Sequence, residues 1–384
     1  MTETAEKGLL PAGLQDVLAP LAAHEAANVE RLIACFQAHG YDRVKPPLLE
    51  FEEALLTGAG AAVAGQTFRL MDPVSQRMMG LRADMTPQVA RIATSRLKNA
   101  PRPLRLCYGG QVLQVRGSQL RPERQFAQAG VELIGPSAAA SDAEVILLAI
   151  EALTGLGVKD LSVDLNLPPL VGSLAADLGL ADAEVAALRL ALDRKDSAAV
   201  VALAGEQAPT FMALLQSAGT AEQALEALQK LALTGDALRA VEGLAAVVAL
   251  IRAAAPEARL TVDPVEHRGF EYQTGISFIL FAKGGRGELG RGGRYQATGP
   301  GGERESSTGF TLYMDTVLRA IAPPQSPARI FLPFGTATAK ARELRDADWV
   351  TLAGLSADED PEEEARRLGC SHVLSGGEII DIED

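Results

Sequence analysis

The stretch VLQVRGSQLRPERQFAQAGVELIG, residues 112–135, is the part of the chain that most strongly indicates its fold. Apolar and polar side chains alternate on either side of a short loop that carries Arg116, Arg121 and Arg124. Alternation with a period of two is typical of β-strands, and two such runs joined by a polar loop indicate a hairpin. We therefore predict a long antiparallel hairpin over residues 104–134, with a cationic loop at its tip.

The second strand of this hairpin carries two polar side chains on one face. Successive residues of a strand point to opposite sides of the sheet. One face of the strand is therefore formed by Phe126, Gln128, Gly130, Glu132 and Ile134. We expect the glycine between the two polar residues to leave room for a small ligand. A buried carboxylate without a hydrogen-bond donor is costly, so the sequence predicts a partner for Glu132.

The composition is that of a globular protein with an acidic balance. The chain has 384 residues, enough for two or three domains at about 100–200 residues each. Its net charge of −13 opposes nonspecific nucleic-acid binding, which needs clustered Lys and Arg. The charged N-terminus lacks the apolar run of a signal peptide, and no stretch offers about 20 uninterrupted apolar residues. We therefore expect a cytoplasmic protein with no membrane partner.

Cysteine and histidine spacing predicts neither a disulfide framework nor a metal site. The cysteines lie far apart without a C-x-x-C pair, and the histidines show no H-x-x-x-H spacing. These residues are Cys35, Cys107, Cys370, His24, His39, His267 and His372. Each histidine is more simply a surface or packed residue than a metal ligand. We expect no metal and no cofactor.

Helical patterns occupy much of the chain. Apolar residues recur at helical spacing over residues 21–39. Thr86, followed by a proline, predicts the N-cap of a second helix. The segment 141–157 opens with a Ser-x-x-Glu capping box and predicts a third. From about residue 165 to 258, Ala- and Leu-rich periodicity predicts an all-helical insertion.

Strand patterns return after this insertion. Residues 259–282 show strand signals, and the glycine-dense block 283–310 predicts tight turns between strands. A G-x-G-x-x-G spacing begins at Gly285, but no helix pattern follows it, so we interpret the match as chance. A Pro-rich linker then precedes alternating strands and helices. The sequence predicts an α+β protein with a core domain over 1–321 and a small C-terminal α/β domain over 322–384.

Five segments of the core share an order with the motifs of a known family. They are GYDRVKPPLLEFEEAL (40–55), LRADMTPQVAR (81–91), RQFAQAGVELIG (124–135), HRGFEYQTG (267–275) and GRGGRYQ (290–296). In this order they resemble the class II aminoacyl-tRNA synthetases, and most closely the histidyl-tRNA synthetases. The resemblance covers residues 8–321, broken by the insertion. It implies an antiparallel sheet flanked by helices and a dimer interface formed by the first segment.

The resemblance also implies a pocket for free histidine. Carried over position by position, the histidine-binding residues are Asp84, Thr86, Gln128, Glu132, Arg268, Tyr272 and Tyr295. The two carboxylates would accept from the ammonium group, the arginine would hold the carboxylate, and the tyrosines would close around the imidazole. Asp84 stands where the family has glutamate, and Gln273 where it has tyrosine. Any one of these residues is as simply explained by packing or ion pairing, but their convergence favours the pocket.

The segments that bind ATP in the family depart from its pattern. Gln114 stands at the arginine that grips the α-phosphate, and Arg116 at the neighbouring glutamate. The third motif reads GFTLYMDTVL (309–318), so Asp315 and Thr316 replace its final Glu-Arg pair. An arginine acting on a transferring phosphate group is worth about 10³–10⁵ in rate, so we expect negligible adenylate formation. The C-terminal segment is shorter than the family's anticodon-binding domain, so we expect no tRNA partner.

A synthetase-like chain with a histidine pocket and without the ATP-binding arginines resembles the regulatory-subunit family of ATP phosphoribosyltransferase. The resemblance implies a short-form catalytic subunit as partner, a homodimer within a hetero-octamer, and L-histidine feedback at the first step of histidine biosynthesis. Two alternatives stay open, a genuine histidyl-tRNA synthetase and a histidine-sensing paralogue with another partner. The docking surface is not indicated by the sequence. For Arg116, Arg121 and Arg124, an anion, the partner subunit and solvent stay open as contacts, and exposure to solvent is the default expectation.

Overall fold

The described part of the chain forms two compact units. The computed structural model describes residues 8–118, 121–267, 272–299, 301–325, 327–358 and 360–382. The first unit comprises residues 8–18 and Ala22–Pro323, and the second comprises Ala19–Leu21 and 324–382. The domain boundary predicted between residues 321 and 322 stays a prediction, because compactness alone does not make a unit an independent domain.

The first unit is built on one large mixed sheet, which has nine strands within the described residues. Their spatial order is β1 (Asp42–Arg43), β5 (Leu104–Leu113), β6 (Gln125–Ile134), β12 (Arg304–Tyr313), β11 (Gly290–Thr298), β10 (Gln273–Ala282), β7 (Leu161–Asn166), β9 (Arg259–Asp263) and β8 (Gly219–Thr220). Neighbours from β5 to β7 in this order pair antiparallel, whereas β1 is parallel to β5 and β7 is parallel to β9. The predicted α+β class is confirmed, with parallel pairs added toward both edges.

The predicted hairpin is confirmed as β5 and β6. The two strands pair from Leu104 opposite Ile134 to Leu113 opposite Gln125. This register places Tyr108 directly opposite Gly130. The polar face of β6 therefore meets a large aromatic side chain of β5.

Helices cover both faces of the main sheet. The α-helices of the first unit, where α1 has its first residue in the second unit, are α1 (Leu21–Ala38), α2 (Glu52–Leu55), α3 (Thr86–Thr94), α4 (Ala139–Leu156), α5 (Leu170–Asp177), α6 (Asp182–Asp193), α7 (Ser197–Ala204), α8 (Ala208–Gln216), α9 (Ala221–Gln229), α10 (Gly235–Ala254) and α11 (Met314–Ala320). A smaller sheet of this unit has the order β2 (Leu49–Phe51), β4 (Met78–Leu81) and β3 (Arg69–Met71).

The two faces of the main sheet belong to different clusters of buried side chains. On one face, Phe36 of α1 packs edge-to-face on Phe310 of β12 with ring centroids 5.6 Å apart, and Val131 of β6 joins the same cluster. On the other face, Val89 of α3 packs in a second cluster. Because residues alternate along β6, Val131 faces the first cluster and Glu132 faces the side of α3.

Two predicted helix caps are wrong, and in both cases the side chain has a distant partner. α3 begins at Thr86 itself, and its hydroxyl lies 3.2 Å from the Tyr108 hydroxyl and caps no backbone N–H. α4 begins two residues before Ser141, without a side-chain cap. The glutamate of the predicted capping box, Glu144, accepts instead from Arg105 at 2.7 Å.

The segment predicted as an all-helical insertion is helical for most of its length. The exception is β8, which pairs antiparallel with β9, so the all-helical prediction is wrong at this strand. Residues 197–216 contain an 18-residue window with a mean hydropathy of 1.4 and pass a length and composition test for a membrane span. They form α7 and α8 with Gly205 between them, at φ +53°. Each helix is shorter than the length of about 20 residues that a helix needs to cross a bilayer.

The second unit has the alternating strands and helices that the sequence predicts. Its sheet has the order β14 (Val350–Ala353), β13 (Arg329–Leu332), β15 (His372–Ser375) and β16 (Glu378–Asp381). Its helices are α12 (Thr338–Asp346) and α13 (Pro361–Arg367). β13 is parallel to both β14 and β15, as expected for strands joined through helices.

In the first unit, Gly285 lies in the turn between β10 and β11, and a strand follows it rather than a helix.

We predict that Gly130→Ala destabilises the protein. A Cβ atom there would lie 2.3 Å from the Phe310 carbonyl oxygen and 2.6 Å from the Tyr108 hydroxyl. Relief requires movement of buried strands, and overpacking of this kind costs about 1–3 kcal/mol. Urea unfolding measures the free-energy change.

Gly243→Ala is the matched control for this substitution. A Cβ atom at Gly243, inside α10, would meet nothing within 4 Å. We expect it to stabilise the helix by about 0.5–1 kcal/mol. Equal unfolding midpoints for Gly130→Ala and the wild type would contradict the prediction.

Candidate functional site

Glu132 of β6 lies level with glycines on the next two strands of the sheet, β12 and β11. It pairs with Gly309 of β12, and Gly309 pairs with Gly293 of β11. A Cβ atom at Gly309 would lie 2.2 Å from the Glu132 Oε2 atom. Any other residue at Gly309 would therefore displace the carboxylate. The glycine lets the Glu132 side chain lie across the sheet, toward Tyr295 of β11.

The Glu132 carboxyl group is buried among neutral hydroxyl groups. Tyr295 donates a hydrogen bond to Oε2 at 3.0 Å, and the Ser307 hydroxyl donates at 3.4 Å. The residue is 1% exposed. Burial raises the pKa of Glu132 to about 8, and the hydrogen bond from Tyr295 offsets part of this rise. Near neutral pH, this carboxyl group therefore holds a proton unless a ligand brings a positive charge.

Asp84 brings a second carboxyl group to the same cavity. Its Oδ1 atom accepts a hydrogen bond from the Thr86 backbone N–H at 3.1 Å. Burial raises the pKa of Asp84, against the lowering effect of this backbone bond. The negative charge of Asp84 also contributes to the raised pKa of Glu132. A cation between the two groups would relieve both effects.

A cluster of buried hydroxyl groups lies beside the two acids. The Tyr108 hydroxyl lies 2.7 Å from Thr311 Oγ1 and 3.2 Å from Thr86 Oγ1. Sequence reasoning identified Thr86 and missed the other two. The register of the hairpin was the available signal, because it places Tyr108 opposite Gly130. The expectation that Gly130 leaves room for a ligand is wrong, since the Tyr108 ring lies over it.

Gln128 fixes the loop before α3. Its Oε1 atom accepts a hydrogen bond from the Met85 backbone N–H at 3.1 Å, and the residue is 2% exposed. Met85 lies between Asp84 and Thr86, so this bond ties both cavity residues to β6. Gln128 does not line the cavity, unlike five of the other predicted residues. Those five are Asp84, Thr86, Glu132, Tyr272 and Tyr295.

Two tyrosines and a glutamine form one wall of the cavity. The rings of Tyr272 and Tyr295 pack edge-to-face with centroids 5.9 Å apart. Gln273 lies opposite Tyr295 in the pairing of β10 with β11. Its Oε1 atom is buried and has no hydrogen-bond partner among the described residues. Gln273 therefore presents a free acceptor beside the tyrosines.

One guanidinium group of the described chain lines the cavity. It belongs to Arg291, which forms an ion pair with Glu288 at 2.7 Å. The predicted Arg268 lies outside the described residues. Sequence reasoning missed Arg291, which sits one residue into β11 within the GRGGRYQ segment. The cavity thus combines carboxyl, hydroxyl, phenol, amide and guanidinium groups, a set that suits a small zwitterion with a polar side chain.

The position of the missing phosphate-binding arginine is occupied by a residue with internal partners. The Gln114 side-chain amide donates to the Ala83 carbonyl oxygen at 3.4 Å. The backbone carbonyl oxygen of Gln114 accepts a hydrogen bond from Arg124 Nε at 3.2 Å. Arg124 also donates to the backbone carbonyl oxygen of Ala12 at 3.0 Å. The default expectation of solvent exposure is therefore wrong for Arg124, whereas Arg116 is largely surface-exposed.

The third-motif position is acidic and binds arginines of its own chain. Asp315 Oδ2 accepts from Arg121 at 3.1 Å and from Arg319 at 3.2 Å. The Arg121 guanidinium also lies 3.8 Å from the centre of the Tyr313 ring. Solvent exposure is therefore the wrong expectation for Arg121 too. Thr316 donates to the Tyr313 carbonyl oxygen at 2.9 Å and offers no positive charge.

Comparison with known proteins gives the chain its relatives. The family model of histidyl-tRNA synthetase matches residues 13–317. The ATP phosphoribosyltransferase regulatory subunit of Rhodospirillum centenum is 55% identical over 376 residues, covering 98% of this chain and 97% of the relative. That of Paramagnetospirillum magneticum is 55% identical over 383 residues and covers 100% of both chains.

Solved structures agree with these relatives. A protein of Bacillus halodurans described as an ATP phosphoribosyltransferase regulatory subunit/histidyl-tRNA synthetase superposes with a TM-score of 0.81 at 25% identity, over 94% of this chain and 96% of that one. Histidyl-tRNA synthetase of Nostoc sp., at 16% identity and a TM-score of 0.80 over 98% of this chain and 96% of that one, shares the fold. The core therefore has the class II synthetase fold, and the chain belongs to the family of ATP phosphoribosyltransferase regulatory subunits, as a non-catalytic subunit of an enzyme complex.

Proposed function

We propose that this chain activates a short-form ATP phosphoribosyltransferase catalytic subunit at the first step of histidine biosynthesis, and that L-histidine binds in the cavity around Glu132 to inhibit the complex. The observation that carries the histidine site is a buried carboxyl group with a raised pKa beside a second acid. Such a site favours a small ligand that brings its own cation. The names of relatives at 55% identity support the catalytic partner.

Each group of histidine has a complement in the cavity. The ammonium group fits between Asp84 and Glu132, where it would replace the proton that burial otherwise holds on Glu132. The imidazole ring would pack against Tyr272 and Tyr295, whose own rings are in edge-to-face contact. Gln273 Oε1 is buried and has no hydrogen-bond partner among the described residues, so it would accept a hydrogen bond from an imidazole N–H. By resemblance to the histidyl-tRNA synthetases, which have tyrosine at this position, that tyrosine would make the same contact.

The carboxylate of histidine requires a cation at the other end of the cavity. The resemblance to histidyl-tRNA synthetases assigns this task to Arg268. Arg291 is the guanidinium on the described wall of the cavity, and we propose that it shares the task. A planar guanidinium donates two parallel hydrogen bonds to a carboxylate, which fixes orientation as well as affinity. Thr86 and Gln128 complete the proposed set by positioning Asp84 and its loop.

Regulation follows from linkage between two sites. Histidine inhibits if it binds an inactive conformation of the complex better than an active one. The ratio of the two affinities sets how far the equilibrium shifts toward the inactive conformation. The proposed assembly is a cytoplasmic hetero-octamer that contains homodimers of this chain. This subunit needs no cofactor, no tRNA and no membrane for the proposed role.

A genuine histidyl-tRNA synthetase is the alternative function, favoured by the retained amino-acid cavity. The environments of Gln114 and Asp315 oppose it, because adenylate formation needs free cations where these residues stand. A histidine-sensing paralogue with another partner shares the same cavity. It differs from the proposal only in its partner, so reconstitution decides between the two.

We predict that histidine stabilises the chain through Glu132. Free histidine at about 100 times its Kd adds roughly 2.7 kcal/mol, which thermal unfolding detects as a raised Tm. Glu132→Gln keeps the size of the side chain and removes its charge. Loss of a charge-assisted hydrogen bond of about 1.5–3 kcal/mol should weaken binding by about 10–100-fold in calorimetry.

Asp164→Asn is the matched control for Glu132→Gln. Burial raises the pKa of Asp164 as well, but the residue lies on β7 and accepts from Thr261 at 2.8 Å, away from the cavity. We expect histidine affinity in this variant to equal that of the wild type. No thermal shift of the wild type at millimolar histidine would contradict the proposed pocket.

We predict that the chain does not catalyse histidine-dependent exchange of pyrophosphate into ATP. The reason is that Gln114 and Thr316 replace the arginines that would stabilise phosphate charge. Radiolabel exchange is measured with an authentic histidyl-tRNA synthetase as positive control. Exchange above the protein-free background would favour the synthetase alternative.

We predict that mixing this chain with a short-form catalytic subunit raises the rate of condensation between ATP and phosphoribosyl pyrophosphate. Histidine should suppress the gain, and Glu132→Gln should need about 10–100-fold more histidine for the same suppression. Size-exclusion chromatography checks that the variant still assembles. A rate unchanged by addition of this chain would rule out the partner and leave the histidine pocket standing.

A further inference from the structure

The surface between α1 and α4 brings together three side chains of metal-binding type, outside the cavity of Glu132. Arg31, Cys35 and His39 follow one another at spacings of four, so they share one face of α1 and its end. Glu151 and Gly155 are spaced likewise on α4. The Arg31 guanidinium donates to the Gly155 carbonyl oxygen at 2.7 Å, which shows that the two faces meet.

The donor atoms of this cluster lie almost as close together as the ligand atoms of a metal site. One atom each of Cys35, His39 and Glu151 lies within 4.8 Å of the other two, and His39 Nε2 is 3.1 Å from Glu151 Oε1. Zinc bonds of 2.0–2.3 Å in tetrahedral geometry place ligand atoms about 3.3–3.8 Å apart. Small rotamer changes would therefore bring all three donors to one ion.

The chemical types of the donors select the ion. A thiolate, an imidazole and a carboxylate form a mixed set that suits zinc, whereas magnesium and calcium require oxygen ligands. The thiolate and the carboxylate together balance a divalent charge. The nearby Glu144 is already engaged by Arg105 and Tyr41, so it does not compete for the ion.

The cluster has an open side. The His39 and Glu151 side chains are 39% and 62% exposed. A groove along Leu147 and Thr154 of α4 begins at these residues and reaches Ala255, so a fourth ligand has access from solvent. Zinc sites with three protein ligands keep such a position for water or an added molecule.

We propose that Cys35, His39 and Glu151 form a three-ligand zinc site that links α1 to α4. The proposal departs from the prediction of no metal, which rested on the spacing of cysteine and histidine pairs in sequence. The third ligand is 112 residues from His39 and is brought in only by the packing of the helices. The simpler explanation, an ion pair between His39 and Glu151, involves no role for Cys35 and so makes a different prediction.

The test is a titration of the full-length, tag-free protein with Co²⁺, which replaces zinc and reports its ligands by absorption. We expect one ion per chain and a thiolate-to-metal charge-transfer band, displaced by added Zn²⁺. Cys35→Ser should remove the band. His39→Gln and Glu151→Gln should each weaken Co²⁺ binding by at least about tenfold.

Matched variants show that the effect is local. Cys370→Ser lies in the second unit, and His24→Gln lies on α1 two turns or more from the cluster. Both should bind Co²⁺ like the wild type, and thermal unfolding checks that every variant is folded. A band that persists in Cys35→Ser, or uptake of less than one ion per chain at saturation, would overturn the proposal and leave an ion pair.

Discussion

The burial of the Glu132 carboxyl group beneath the Tyr295 hydroxyl is the interaction on which the rest of the site depends. An acid in this position costs free energy when it is ionised, and the rise of its pKa to about 8 expresses that cost. The sheet is built to permit it. Glycine at position 309 leaves space for the side chain, and Ser307 and Tyr295 direct hydroxyl groups at it. The cavity is therefore prepared for a ligand that supplies positive charge.

One face of the mixed sheet packs in the hydrophobic core and the other lines the cavity, because side chains alternate along each strand. Val131 and Phe310 face the large hydrophobic cluster under α1, while Glu132 and Gly309 face the cavity. Each strand serves both sides without conflict because successive side chains point in opposite directions. The cavity can thus change its polar groups while the hydrophobic cluster stays packed, which suits a fold that the family model and the solved structures share with synthetases.

In the segments that resemble the ATP-binding motifs of synthetases, the charges of several arginines are paired with groups of the same chain. Asp315 binds Arg121 and Arg319, and Arg124 is held by backbone carbonyl groups. These arginines satisfy acceptors of their own chain and do not form a cluster of unpaired positive charge. In the proposed function, amino-acid binding and the lost phosphate chemistry would use neighbouring parts of one sheet, so the second could be lost while the first remains. This separation is the physical basis for a regulatory subunit with a synthetase fold.

The sequence alone predicts the hairpin, the extent of α1 and five of the residues that line the cavity, because strand alternation, helical spacing and ordered motifs are local properties. It did not determine the partners of Thr86 and Glu144, whose predicted caps were wrong, because those side chains bond to residues distant in sequence. It also did not show Tyr108 over Gly130 or Arg291 in the cavity wall. The pKa of Glu132 and the proximity of Cys35 to Glu151 depend on tertiary packing, because burial and contacts between distant elements exist only once the sheet and helices have packed together.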